Sequence, residues 1–364
     1  MSIPEAPLAY PFQNPSEVQS RSGPIVILID SSGIGGIERH VAILARGLRR
    51  LEFDARIALL ADHGPNAWLS QLENLGLPYD ILDGGIGGLL STLRREKVAL
   101  LHTHGYKAGI LGRLAARLIG APVVSTFHAG EVGAFPVSFY QRADEWSSFL
   151  ATRISVGAQI SSRLPFPSNV IPNFIDAPSA PPIAPLPQAI GFVGRLSPEK
   201  GPEIFCEVAS RHRGQAEWHV YGDGRMRREL ERAYSEHVVF HGAITDIDQA
   251  WRRLGLLIIS SYAEGLPMVA LEALASGIPV AAAAVGALPD IIRHGENGWL
   301  FEAGDIEALD RIVEQWNTGL DSNGPLWRAS AWRTVREKFG VELGIERTMA
   351  VYRAAGLRTF NSSP

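Results

Sequence analysis

Short apolar runs recur along the chain, each followed by a longer stretch whose apolar positions repeat every three or four residues. Pro24 to Asp30 (PIVILID) reads as a buried first strand. The same reading predicts a helix over Ile37 to Leu48, a strand over Arg56 to Leu60, a helix over Ala67 to Leu75 and a strand over Val98 to His102. Tyr106 to Leu118 is predicted helix. Val123 to Phe127 and Ile154 to Val156 are predicted strands. Such alternation implies βαβ units and a parallel sheet.

Residues 177–188 read APSAPPIAPLPQ. Proline at this density resists helix and sheet alike, so an interdomain linker belongs here. A second cycle then starts. Strands are expected at Ala189 to Val193, Glu217 to Tyr221, Val238 to His241, Leu256 to Ile259 and Pro279 to Ala283. Helices are expected at Pro202 to Ser210, Arg225 to Ala233, Thr245 to Arg253 and after Pro267. The expected fold is α/β, with two Rossmann-like domains of parallel sheet, residues 23–176 and 189–340, facing a central cleft. A last helix over Val341 to Ala354, with a tail to residue 364, could cross back to the first domain. Residues 1–22 are rich in Pro, Ser and Gln and are expected to be disordered.

Composition narrows the choices. A length of 364 residues favours two domains over one small core. The net charge of −4 implies no strong attraction to nucleic acid. The acid excess lies in the second half, since residues 1–175 carry 15 Lys+Arg against 14 Asp+Glu, and the rest 19 against 24. Cys206 is the only cysteine, which excludes internal disulfides and a cysteine zinc site and suits a reducing cytoplasm. The first twenty residues lack the basic start and apolar core of a signal peptide. No run reaches the length of a membrane span.

The densest chemistry lies between Ser260 and Trp299. Gly265 lets the chain turn after a buried strand, and Pro267 suits a first helical position. Leu266, the expected N-cap, has no side-chain oxygen, so the first amides of the helix stay open as an anion site at a strand's carboxyl end. Glu264 precedes that site. Glu272 follows it by about 8 Å along the helix. A diphosphate at the tip would have a carboxylate acceptor on either side, the layout that a nucleotide-sugar needs. A solvated amphipathic helix would explain one such glutamate, but explains the whole arrangement less well.

Three further loops follow predicted strands. Ser31 to Glu38 carries Gly33, Gly35 and Gly36 and opens a helix. It departs from the dinucleotide fingerprint, with Glu38 where a third glycine should stand, which disfavours an NAD-dependent dehydrogenase. Gly194, Arg195, Lys200 and Gly201 form a turn whose two cations can neutralise a leaving diphosphate. His128, in Ser125 to Glu131, could touch a sugar or assist proton movement. Glu131 is a weaker candidate on the same loop. His102 and His104 share a strand face, yet no third metal ligand is evident. His104 is expected to line the cleft as a hydrogen-bonding group. Asp246 and Asp248 spell D-x-D but read as a helix start with Thr245 as N-cap. Arg46, Arg49, Arg50, Arg94, Arg95, Lys97, Arg113 and Arg117 could form a patch facing an anionic membrane, although Glu52, Asp54 and Glu96 favour an ordinary solvated face.

Taken together, residues 24–355 resemble a family 4 retaining glycosyltransferase of the GT-B fold. The resemblance rests on Glu264 and Glu272, seven residues apart; on Gly35-Gly36-x-Glu38; on His102-x-His104 with Tyr106 to Arg117; on Thr126-Phe-His128; on Ile171-Pro-Asn173-Phe-Ile-Asp176; on Gly194-Arg195 with Lys200-Gly201; and on Tyr221-Gly-Asp-Gly224. It implies an N-terminal acceptor-side domain and a C-terminal donor domain. It implies that Glu264 contacts the transferred sugar and Glu272 the ribose. Arg195, Lys200 and the amides of Leu266 and Met268 would hold the diphosphate, with Gly194 and Gly265 shaping the loops. Gly35 and Gly36 would let the first domain approach the donor, and His128 would lie near the reacting carbon, with His104 and Glu131 on the acceptor side. Gly157 and Phe174 depart from the residues frequent in relatives, without touching the charged set.

The implied activity is retaining transfer of a hexose-type sugar from a nucleoside-diphosphate sugar, with uridine diphosphate the commonest donor nucleotide. No metal or other cofactor is required if Arg195, Lys200 and the helix tip do the neutralising. The Lys107 to Arg117 segment resembles enzymes of surface-polysaccharide assembly, which suggests a lipid-linked acceptor and a cytoplasmic protein with peripheral contact to the inner face of the cell membrane. The rivals are a nucleotide-sugar epimerase or hydrolase on the same fold, and a saccharide-binding protein without turnover.

Overall fold

The computed structural model describes residues 23–128 and 137–358. The expected N-terminal tail and Glu131 lie outside the described residues.

In the first lobe, β1 (Ile25–Ile29) leads through α1 (Gly36–Arg50), β2 (Ala55–Leu59), α2 (Ala67–Asn74), β3 (Tyr79–Ile81) and α3 (Ile86–Arg95) to β4 (Leu100–His104). Then come α4 (Tyr106–Ile119), β5 (Val123–Phe127), α5 (Val137–Ser147), β6 (Thr152–Ser155), α6 (Ala158–Arg163) and β7 (Asn169–Val170). The strands form one parallel sheet in the order β3-β2-β1-β4-β5-β6-β7, with Ile29 paired to His104. In the second lobe, β8 (Ala189–Val193), α7 (Pro202–Arg211), β9 (Glu217–Tyr221), α8 (Arg227–Tyr234), β10 (Val239–Gly242) and α9 (Asp248–Arg253) come first. They are followed by β11 (Leu256–Ile259), α10 (Met268–Ala275), β12 (Val280–Ala283), α11 (Leu288–Ile291), β13 (Gly298–Phe301) and α12 (Ile306–Lys338). This sheet is also parallel, in the order β10-β9-β8-β11-β12-β13. The last helix is α13 (Val341–Ala355).

Strands β1, β4, β5 and β11 are buried at every residue, so helices must cover both faces of each sheet. The α13 helix packs on α1, where Gly47 leaves room for Ile345. Its Val341, Ile345, Met349 and Tyr352 complete the first lobe's core, although the chain reaches them only after the second lobe. Phe174 is buried against Gly344 of α13, and its ring lies 5.0 Å from that of His40. The unusual residue after Pro172-Asn173 therefore helps seat this helix.

Several boundaries differ from the sequence reading. Strand β4 begins at Leu100, not Val98, and includes His104. The N-cap of α10 is Pro267, not the expected Leu266, so the helix begins one residue later than the sequence reading, at Met268. Helix α9 starts at Asp248 with Ile247 as its N-cap, so Thr245 does not cap it; the Asp246 carboxylate, one residue before the cap, accepts from the Asp248 N–H at 3.1 Å. Strands β3 and β13 and helices α3, α5 and α12 carry too weak or too irregular a pattern to be read from sequence. In α12, Pro325 falls inside the helix.

Candidate active site

In a doubly wound sheet, neighbouring strands whose connections run in opposite directions leave a crevice at their carboxyl ends. The first sheet has that point between β1 and β4, the second between β8 and β11. Every candidate loop follows one of these strands or the adjacent β5.

On the second lobe, the loops after β8 and β11 are stitched together. Gly201 sits at φ +59°, and a side chain there would strike the Ser260 carbonyl. The Ser260 hydroxyl donates to the Gly201 carbonyl at 2.7 Å, and the Tyr262 N–H donates to the Glu199 carbonyl at 2.9 Å. This brings Lys200 Nζ to 3.0 Å from Glu264 Oε2, while the Ser261 hydroxyl donates to Glu264 Oε1 at 2.7 Å. The pair is largely buried, so its attraction is less screened than that of a surface pair.

Beyond it, α10 begins with no side-chain cap. Its first amides point out of a helix end, where the dipole favours negative charge. Leu266 is buried, and its carbonyl accepts from Asn173 Nδ2 of the other lobe at 2.7 Å. The Gly265 carbonyl accepts from the Ala287 N–H at 2.8 Å, and Gly286, at φ +60°, admits this approach. Met268 lies against Gly36 at the start of α1, so the two lobes meet where both helices begin.

Glu272 is 3 % exposed. Arg39 of α1 crosses between the lobes and holds its Nε 2.5 Å from Glu272 Oε1, off the N–H axis, so the contact is an ion pair more than a directional hydrogen bond. Burial raises the Glu272 pKa to about 7 against the opposing charge of Arg39, and Asp248 adds to the rise. Glu272, Arg39, Asp248 and Trp251 line an interlobe cavity of about 700 Å³. Arg195 is placed differently from Lys200. Its side chain is 73 % exposed and 3.9 Å from Glu199, so it is not packed at the helix tip. It lies within electrostatic reach of Glu38. Burial raises the Glu38 pKa, while hydrogen bonds from Ser31 and Gly35 and the charge of Arg195 oppose the rise. The Glu38 carboxylate folds back over Gly35.

Four histidines gather on the first lobe. His102 and His104 share one face of β4, with ring centroids 4.3 Å apart. His102 bonds the Tyr352 hydroxyl and the Thr126 hydroxyl, both at 2.7 Å. His104 Nδ1 lies 2.9 Å from His128 Nε2. Burial lowers the pKa of His40 to about 4 and of His102 to about 3, and also depresses those of His104 and His128, so the cluster is neutral near pH 7. Only His128 of this cluster lines the apolar cavity of about 740 Å³ on this lobe. His104, expected in the cleft wall, sits fully buried behind it. Ring nitrogens of His40, His104 and His128 lie within 4.8 Å of one another. Zinc draws such atoms to about 3.3 Å, given bond lengths near 2.0–2.1 Å, so these rings would have to close in to share an ion.

That cavity continues toward a smaller one of about 180 Å³ lined by Glu264, Gly265 and Gly157, and Ile160 and Arg163 border both. Gly157 thus lines the same small cavity as Glu264. The basic residues singled out from sequence do not form one patch. Arg46 and Arg50 bind Asp176 at 2.7 and 2.8 Å, Arg95 binds Glu96 at 3.0 Å, and Arg113 is fully buried on Asp144 at 2.6 Å. Sequence reading missed Arg39, Ser261 and Tyr352 as partners. Arg39 and Tyr352 act across gaps that no local pattern encodes, whereas Ser261 lies only three residues before Glu264 on the same loop.

The fold and the two facing crevices define a two-lobe α/β transferase of the GT-B kind. A model described as Glycosyltransferase Family 4 matches residues 34–177, and one described as Glycosyl transferases group 1 matches residues 187–316. The chain belongs to this family of glycosyltransferases. It is 27 % identical over 273 residues to the UDP-Gal:alpha-D-GlcNAc-diphosphoundecaprenol alpha-1,3-galactosyltransferase of Escherichia coli, covering 62 % of this chain and 69 % of that one. It is 26 % identical over 256 residues to a lipopolysaccharide core biosynthesis mannosyltransferase of Rhizobium meliloti, covering 60 % and 71 %. Among solved structures, Anabaena HepE in complex with UDP-glucose superposes with a TM-score of 0.76 at 20 % identity, covering 90 % of this chain and 99 % of that one. That likeness bears on the fold.

Proposed function

We propose that the protein transfers a hexose-type sugar from a UDP-linked donor to a hydroxyl of a lipid-linked saccharide, with retention at the anomeric carbon and no metal ion. The observation that carries this reading is the Lys200–Glu264 pair at the uncapped start of α10. A diphosphate at the helix tip would meet Lys200 and the amides of Leu266 and Met268. As the sugar–phosphate bond breaks, charge accumulates on the phosphate, and these fixed donors stabilise it without reorganising. Glu264 would pass from Lys200 to the hydroxyls of the transferred sugar. Glu272 would take the ribose, and Arg195, free to swing, would close on the phosphates. Gly194 and Gly265 shape the donor loops, and Gly35 and Gly36 bring the first lobe close. A phosphate oxygen would take the acceptor's proton on the face it leaves. His128, neutral and lining the acceptor-side cavity, can hydrogen-bond near the reacting carbon. His104 holds its ring from behind.

The E. coli relative's name carries both a UDP-linked donor and a lipid diphosphate acceptor, which supports these two parts of the reading. No helix among the described residues is long and apolar enough to cross a membrane. We infer a cytoplasmic protein working at the inner face of the cell membrane. The test is transfer from UDP-sugars with Glu264→Gln and Lys200→Ala. Each should lose about 100- to 1,000-fold in kcat, and the wild-type product should keep the donor's anomeric configuration by NMR. Near wild-type rates in both variants would overturn the site. Donor converted to an epimer or to free sugar without acceptor would favour the epimerase or hydrolase reading instead.

A further inference from the structure

Helices α4 and α5 and the short 3-10 turn Ser148–Leu150 pack together beside the apolar cavity. Their outer surface is unusual. Phe139, Tyr140, Trp146 and Phe149 are between 53 and 66 % exposed, and Leu118 of α4 is 63 % exposed. Exposed apolar residues scattered singly need no explanation, but a group of large aromatics does. Trp146 and Phe149 both cluster with the Phe166 ring, at 6.4 and 6.0 Å, and the Arg153 guanidinium lies 5.7 Å from that ring's centre.

The charges on this face that lack an opposite partner among the described residues are of one sign. Asp144 is buried on Arg113, and Glu145 pairs with Arg163 at 3.3 Å. Arg117, Arg142 and Arg153 take no carboxylate partner among the described residues; Arg153 bonds only backbone carbonyls. Aromatics with a wet edge next to uncompensated arginines match the interface of an anionic bilayer, where rings sit at headgroup depth and each nearby cation adds attraction. The position matters too. Tyr140 belongs both to this face and to the cavity wall that holds His128.

We propose that the face formed by α4, α5 and the 148–150 turn docks on an anionic membrane, and that the lipid-linked acceptor enters the apolar cavity past Tyr140 while its anchor stays in the bilayer. This rests on the lipid-linked acceptor reading above. Of the basic residues singled out in the sequence it uses only Arg117; Arg46, Arg50, Arg95 and Arg113 are paired with carboxylates within the fold.

The test is cosedimentation with vesicles of phosphatidylcholine, alone and mixed equally with phosphatidylglycerol. Wild type should bind the mixed vesicles more tightly than the neutral ones. The double variant Trp146→Ser/Phe149→Ser should bind at least about tenfold more weakly, and Arg117→Gln/Arg142→Gln should lose the preference for anionic lipid. Leu326→Ser, which removes an equally exposed apolar residue from α12, should change nothing. Equal binding by wild type and the aromatic variant would overturn the proposal. So would a dimer in gel filtration that the aromatic variant abolishes, since a second copy would then be the occupant. Transfer to a short water-soluble acceptor, measured in parallel, should be unchanged in the aromatic variant. Its absence in wild type would count against the proposed reaction, leaving the vesicle result to judge the docking face.

Discussion

Arg39 of the first lobe holds its guanidinium against the Glu272 carboxylate of the second, 2.5 Å apart, although 233 positions of sequence separate the two. Glu272 is the residue that the resemblance assigns to the donor's ribose. The contact therefore couples the closeness of the lobes to the state of the donor site. Replacing Arg39 with Ala should loosen the contact between the lobes. We expect kcat/KM for the donor to fall about tenfold and the radius of gyration in solution scattering to rise. Unchanged scattering and kinetics would show that the pair does not hold the lobes.

The same carboxylate should make stability depend on pH. Its pKa is raised from 4.5 to about 7, so the fold favours the protonated form. The stabilising contribution is present below about pH 4.5 and is lost as pH rises through about 7. Glu272→Gln cannot ionise. Relative to wild type, it should gain about 2–3 kcal/mol between about pH 5 and about pH 8, seen as a change in the difference of melting temperatures. A constant difference over that range would contradict the assignment.

Gly201 offers a test of loop geometry separate from charge. Alanine at φ +59° is strained and would push against the Ser260 carbonyl. Gly201→Ala should cost about 1–3 kcal/mol in thermal unfolding and raise the donor KM by displacing Lys200. If both values stay at wild type, the loops after β8 and β11 are not coupled as described.

Arg113 and Asp144 form a fully buried pair that ties α4 to α5 beneath the aromatic face. Burial raises the Asp144 pKa to about 6, and Arg113 restrains the rise. Arg113→Ala leaves that carboxyl unmatched and should cost about 3–5 kcal/mol. Arg113→Met with Asp144→Leu should recover most of the loss, because an apolar pair has no charge to desolvate. A single variant as stable as wild type would show that the pair is incidental.

The sequence by itself determined the repeating strands and helices, the split into two lobes and the identity of the chemical loops. These follow from local rules. Buried parallel strands are short apolar runs, and glycines, prolines and cations mark the turns at their ends. Glu264, Lys200, Gly201 and the open start of α10 were legible because each lies on a loop directly after such a strand. Tertiary structure decided the rest. The retreat of His104 behind His128, the Arg39–Glu272 contact and the docking of α13 on α1 all join residues far apart in the chain, and the exposure of Arg195 depends on what the fold leaves uncovered around it. Periodicity reports which face of a helix is buried, but not what covers it. The basic residues show the same limit. Whether Arg46, Arg50 and Arg113 face solvent or a carboxylate depends on Asp176 and Asp144, which only folding brings to them.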